Sequence, residues 1–161
     1  MKKENQKTVL IALDYDQTAQ KVLESGYAMG SAMGAEIILL HVISDPIYYS
    51  STEYSPIMGF NGYMDTVPLQ LENPGGLKKA AQFFLDNAKH QLGDEKIQTM
   101  IKEGDLVEVI MRIAKKTGTD IIVMGSHSRK WLEDVVMGSS TNDVLQKTNI
   151  PLFIVPTKRR H

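Results

Sequence analysis

Short runs of apolar residues recur along the chain in the pattern of buried β-strands. The first run covers residues 8–13 and ends at Asp14, and a second covers residues 36–42. Continuous runs of this kind are typical of strands that helices cover on both faces. Three further runs complete the set of predicted strands, at residues 97–101, 120–124 and 152–155.

The segments between these runs place apolar residues three and four positions apart, as amphipathic helices do. The first predicted helix follows Asp16, a candidate N-cap, and ends at Gly34, a candidate C-cap. Gly26 and Gly30 lie on its apolar side and predict a close approach to the sheet. Three more helices are predicted, one at residues 77–92, one opened by the capping pair Asp105 and Glu108, and one beginning near Ser139.

The alternation of strands and helices predicts an α/β fold. We expect a single domain over residues 1–161, because a chain of this length is about the size of one globular domain. The expected architecture is Rossmann-like. It is an open, parallel, five-stranded sheet in the order 3-2-1-4-5, with helices on both faces.

Residues 45–76 interrupt this alternation. They contain four of the six prolines and five aromatic residues, without sustained periodicity. Connections of this length are uncommon in compact domains. Two interpretations stay open: an insertion that packs on its own domain, or a lid over a ligand or part of a subunit contact.

Composition excludes several classes of function. Apolar residues make up 42% of the chain and charged residues 23%, as in ordinary soluble proteins, and a net charge of -1 gives no broad attraction to nucleic acids or anionic membranes. The apolar runs are far shorter than the roughly 20 residues that cross a bilayer. The absence of cysteine rules out thiol chemistry and fits a reducing compartment. Because residues 1–6 lack a signal-peptide pattern, we expect a cytoplasmic protein with no membrane partner.

Candidate chemistry lies at the carboxyl ends of the strands, where open parallel sheets bind their ligands. If the fourth strand lies beside the first, Asp14 and the loop after residue 124 flank one crevice. Gly125 at the strand end and Gly138 before the last helix suit a phosphate, because glycine and a helix N-terminus both present backbone N–H groups. Asp14 on its own is better interpreted as a turn residue or a cap.

The glycines and serines of residues 125–140 have a specific spacing. Gly125 and Ser128 are followed, after nine intervening residues, by Gly138 with Ser139 and Ser140. This pattern resembles the ATP-binding signature of universal stress proteins, with Ser128 where the signature has its second glycine. The resemblance covers nearly the whole chain outside residues 45–76. It implies the adenine nucleotide alpha hydrolase-like form of the α/β fold.

The resemblance also implies a ligand and roles for individual residues. The ligand is ATP, with magnesium or manganese bound through its phosphates and without a separate metal site on the protein. Asp14 and the backbone near Val42 would contact the adenosine. Gly125, His127 and Ser128 would surround the ribose and phosphates. The phosphate tail would lie on Gly138, Ser139 and Ser140.

The last predicted strand is expected to form a homodimer. It is apolar and bracketed by Pro151 and Pro156, and an apolar strand at a sheet edge is an aggregation risk unless it is paired. The resemblance likewise implies a dimer through this strand. The residues concerned are Leu152, Phe153, Ile154 and Val155.

Catalytic groups are not evident in the sequence. His127 has no serine or carboxylate at a local spacing that would orient it as a base. The chain lacks a P-loop lysine and a G-x-G-x-x-G motif after the first strand, so neither a kinase nor a dinucleotide dehydrogenase is supported. We expect a nucleotide-binding regulatory or stress-response module. The alternatives are slow ATP hydrolysis assisted by His127 or Ser139, and a nucleotide-free interaction protein with an unidentified partner.

Overall fold

The computed structural model describes residues 5–14, 18–43, 74–126 and 139–157. Within these ranges the strands are β1 (Thr8–Ala12), β2 (Glu36–Ile43), β3 (Gln98–Glu103), β4 (Ile121–Gly125) and β5 (Leu152–Val155). They form one sheet in the order β3-β2-β1-β4-β5, and every pairing is parallel. The predicted strand order is confirmed.

Helices alternate with these strands along the described part of the chain. They are α1 (Ala19–Ala32), α2 (Pro74–Leu92), α3 (Leu106–Thr117) and α4 (Ser139–Lys147). The predicted α/β class, with four helices around five strands, is confirmed for these ranges. Because parallel neighbours need a crossover connection, the helices come to lie on both faces of the sheet.

The sheet separates two apolar layers. Val9 and Ile11 of β1 belong to a buried cluster that includes side chains of α1 and α2. Leu10, between them, belongs to a second cluster with side chains of α3 and α4. Successive side chains of a strand point to opposite faces, so a strand buried on both faces has to be apolar throughout. The continuous apolar run that predicted β1 follows from this arrangement.

Helix α1 lies close against the sheet at its glycines. A Cβ atom at Gly26 would lie 2.9 Å from Cδ1 of Ile11, and one at Gly30 would lie 3.1 Å from Cδ1 of Ile37. The predicted close approach is therefore confirmed. The predicted N-cap differs, because Thr18 occupies the capping position and the helix begins at Ala19. Asp16 lies outside the described residues.

Helix α3 has the caps that the sequence predicts. The carboxylate of Asp105 accepts a hydrogen bond of 3.0 Å from the N–H of Glu108. The helix ends before Gly118, whose left-handed φ of 63° turns the chain toward β4. An N-cap of this type contributes about 1 kcal/mol. The cap fixes where α3 begins, directly after the carboxyl end of β3.

The largest changes from the predicted boundaries are in β3 and α2. Strand β3 covers Gln98–Glu103 rather than residues 97–101, because its pairing with β2 continues as far as Ile43 opposite Glu103. Helix α2 begins at Pro74, so the last three residues of the predicted insertion 45–76 are helical. Proline suits the first turn of a helix, where its missing N–H costs nothing. The rest of the insertion lies outside the described residues.

Candidate functional site

A cavity opens at the carboxyl edge of the sheet, around the ends of β1, β2 and β4. It is partly open to solvent. The strand order reverses between β1 and β4, and open α/β sheets bind ligands at such a switch point. The described residues that line it are Ala12, Leu13, Asp14, Leu40, Val42, Leu106 and Met124.

Among the described residues, the cavity wall is apolar apart from one carboxylate. Leu40 and Met124 are fully buried, and Val42 is buried beside them. Asp14 is half-buried and is the one ionisable side chain among the described lining residues. A wall of this kind suits a ligand with an apolar ring and a nearby hydrogen-bonding group, because ligand sites combine apolar surface with a few placed polar groups.

Buried contacts hold the backbone that leads to Asp14. The N–H of Leu13 donates to the carbonyl oxygen of Leu40 at 2.9 Å. Nδ1 of His41 lies 2.9 Å from the carbonyl oxygen of Leu13. Because a carbonyl oxygen only accepts, this contact places a proton on Nδ1. His41 is 1% exposed, and its ring meets the ring of Phe84 at an angle of 64°. These buried contacts of Leu13 therefore fix the backbone just before Asp14.

Gly125 ends β4 and has a packing role that the sequence does not reveal. A Cβ atom at this position would lie 3.1 Å from Cγ2 of Val22 on α1 and 3.1 Å from Cγ2 of Thr157. Distances this short require the neighbours to move, and close-packed interiors resist such movement. Packing against α1 and the end of the chain therefore favours a glycine at this position, independently of any ligand.

Hydrogen bonds hold the described residues on either side of the segment 127–138. The hydroxyl of Thr141, in the first turn of α4, donates to the carbonyl oxygen of Gly125 at 2.9 Å. The N–H of Ser126 donates to the carbonyl oxygen of Val155 at 2.8 Å, and the N–H of Thr157 donates to the hydroxyl oxygen of Ser126 at 2.9 Å.

The structure brings some of the predicted site residues together. Asp14 and Val42, which are far apart in sequence, line the same cavity. Gly125 lies one residue beyond the cavity wall, at the end of β4. Ser139 begins α4, and half-buried Ser140 follows it. The remaining predicted residues, His127, Ser128 and Gly138, lie outside the described residues.

Sequence reasoning missed most of the cavity wall. Leu40 lies two positions before Val42, so the two-residue period of a strand places both on the same face. That period was a usable signal for Leu40. Leu106 and Met124 approach the cavity only because α3 and β4 converge on it. Thr141 carried a weaker signal, as a threonine directly after the predicted serines.

In the described ranges, no group of three or more histidine and acidic side chains is placed to hold a metal ion. None of the helices described is both long enough and apolar enough to cross a membrane.

Comparison with known proteins identifies relatives over nearly the full length. A profile of the universal stress protein family matches residues 5–156. Universal stress protein MJ0577 of Methanocaldococcus jannaschii is 32% identical over 155 residues, which cover 94% of this chain and 96% of that protein. The solved structure of MJ0577 superimposes with a TM-score of 0.72 at 31% identity, covering 96% of this chain and 98% of the other.

Two more distant structures share the fold and contain adenine nucleotides. A universal stress protein in complex with cAMP gives a TM-score of 0.62 at 16% identity, covering 96% of this chain and 99% of its own. The universal stress protein of Archaeoglobus fulgidus in complex with dAMP gives a TM-score of 0.58 at 16% identity, covering 92% and 96%. At this level of identity the likeness concerns the fold.

Proposed function

Because this chain belongs to the universal stress protein family, we propose that it binds an adenine nucleotide, specifically ATP, at the carboxyl edge of its sheet. The proposal rests on one observation: Asp14 and Val42 line the same cavity, next to the point where the strand order reverses. The apolar wall accommodates the adenine ring, and the carboxylate of Asp14 accepts hydrogen bonds from the ribose hydroxyls.

The phosphates extend from this cavity toward the start of α4. The first N–H groups of a helix lack partners within the helix and carry a partial positive charge, which favours a phosphate. Ser139 and Ser140 lie in this first turn. His127, Ser128 and Gly138 complete the phosphate site in this proposal, as the family signature implies. Magnesium or manganese is bound through the phosphates.

The ligands of the two distant structures support the adenosine half of the proposal. Those proteins are complexed with cAMP and dAMP. The two ligands share an adenine base and one phosphate and differ in the sugar and in the ring closure. An adenine site with room for a phosphate is therefore the feature that this chain is proposed to share with them.

The proposed role is a regulatory module of the stress response in the cytoplasm. Nucleotide occupancy changes the relative stability of conformations when the ligand binds one conformation more tightly than another.

Direct detection of the ligand tests this proposal. The purified protein is denatured, the supernatant is examined by mass spectrometry, and the refolded or nucleotide-free protein is titrated with Mg-ATP in a calorimeter. We expect a released adenine nucleotide or a measurable heat of binding. The absence of both contradicts the proposal and favours a nucleotide-free interaction protein, whereas phosphate release during the titration identifies a slow hydrolase.

We further propose that β5 pairs with β5 of a second copy. Strand β5 is a sheet edge of apolar sequence, and its Phe153 is 37% exposed. The opposite edge, β3, carries Lys102 and Glu103. Charged side chains protect an edge from pairing, whereas an apolar edge invites it. The difference between the two edges supports a homodimer through residues 152–155. Sedimentation velocity of the purified protein tests this proposal, and a monomer at all concentrations contradicts it.

A further inference from the structure

We propose that Thr141 is a positioning residue for the phosphate groups of the nucleotide, an inference that rests on the proposed function. Thr141 is fully buried in the first turn of α4, and its hydroxyl donates to the carbonyl oxygen of Gly125 at 2.9 Å. Gly125 directly follows Met124, which lines the cavity. One buried hydrogen bond therefore sets the distance between the start of α4 and the cavity wall.

The acceptor of this bond is itself held in place. Ser126 donates from its N–H to Val155 and accepts at its hydroxyl from the N–H of Thr157. On the other face, Gly125 fits closely against Val22 of α1. The end of β4 is thus fixed by β5, by α1 and by the residues after β5. Since the acceptor cannot move easily, the Thr141 bond positions the helix and not the strand.

The Thr141 hydrogen bond should affect binding of only one part of the ligand, its phosphate groups. The described lining residues of the cavity lie on β1, β2, β4 and α3 or beside them, and none lies on α4. The first N–H groups of α4 face a phosphate only if the helix begins at the right place, because hydrogen bonds weaken steeply with misalignment. Loss of the Thr141 bond therefore weakens binding of the phosphates and leaves binding of adenosine unchanged.

A purely structural role for Thr141 makes a different prediction. If the hydroxyl only satisfies a buried carbonyl, its removal lowers the stability of the fold and changes the affinity for every ligand alike. Comparison of ligands that differ in phosphate number separates the two roles. Adenosine, AMP and Mg-ATP form such a series.

The experiment measures the dissociation constants of these three ligands for four proteins by calorimetry. Thr141→Val removes the hydroxyl at nearly constant volume, and Thr141→Ser retains it. Thr119→Val is the matched control, since Thr119 is buried before the amino-terminal end of β4, away from the cavity, and its hydroxyl lies 2.8 Å from that of Thr117. Circular dichroism and thermal unfolding establish that each variant is folded. If T141V does not fold, Thr141→Cys replaces it, because a thiol is a weak donor.

We expect T141V to weaken Mg-ATP binding about tenfold, AMP binding less, and adenosine binding by no more than about twofold. T141S and T119V keep the affinities of the unmodified protein. Equal losses for all three ligands, or no loss for Mg-ATP, overturn the inference while the proposed function stands. An unmodified protein that binds none of the three overturns the proposed function, and the inference with it.

Discussion

Cγ2 of Val22 lies 3.1 Å from the position that a Cβ atom would occupy at Gly125. The contact joins α1 to the end of β4, the strand that leads into the proposed phosphate site. Thr157 encloses the same position at an equal distance. Neither neighbour is adjacent to Gly125 in sequence, so the requirement for a glycine arises from tertiary packing.

Replacing Gly125 tests this packing. Gly125→Ala is expected to lower the free energy of unfolding by about 1 to 3 kcal/mol, because the added methyl group overpacks the site. The variant V22A removes the methyl groups that the new Cβ atom meets. In urea denaturation, G125A combined with V22A should be more stable than the sum of the single losses predicts, by about 0.5 kcal/mol or more. Strictly additive losses would show that Val22 does not limit the position.

Filling the cavity should abolish the proposed adenine site. Leu106 is half-buried and lines the cavity from the start of α3, so Leu106→Trp places an indole where the base is expected. We expect ATP affinity to fall by about tenfold or more, the equivalent of about 1.4 kcal/mol. The control is Leu145→Trp, since Leu145 is 50% exposed near the end of α4. Calorimetric titration of both variants checks the prediction, and equal affinities would place the base elsewhere.

His41 should support the cavity through its hydrogen bond to Leu13. His41→Leu removes the buried donor and is expected to cost about 1 to 3 kcal/mol of stability. His41→Asn retains an N–H donor of similar reach and should recover part of that loss. Thermal unfolding of the two variants measures the difference. If the asparagine variant is no more stable than the leucine variant, the hydrogen bond is not what makes His41 stabilising.

Exposed apolar residues on β5 should matter only for association. Phe153→Lys adds a charge to the edge strand at a side chain that is 37% exposed. We expect a monomer with an unchanged fold, because an inserted charge opposes pairing of sheet edges. Met33→Lys is the control, since Met33 is 41% exposed just after α1. Sedimentation velocity compares the two, and a dimer that survives F153K would require a different interface.

The apolar pattern predicted the elements well because burial is a strong local constraint. β1, β2 and β4 are covered on both faces, so their buried positions are mostly apolar, with Thr8 of β1 and His41 of β2 as buried polar exceptions. The Asp105 cap was predictable for a similar reason, since capping depends on residues three positions apart. The edge strand β3 is half-buried, and its predicted boundary was accordingly wrong.

For the candidate site as well, features set by the local sequence were predictable, and contacts between separate elements were not. The sequence by itself determined the α/β class, because the class depends on local periodicity. It also determined the resemblance to the family, because that depends on the spacing of a motif, and the resemblance in turn implied the candidates Asp14 and Val42. Only the tertiary structure decided that Leu106 and Met124 complete the cavity, that Gly125 packs against Val22, and that Thr141 bonds to the end of β4. Those contacts join residues from separate elements, and their geometry is set by how helices pack across a twisted sheet, which no local pattern encodes.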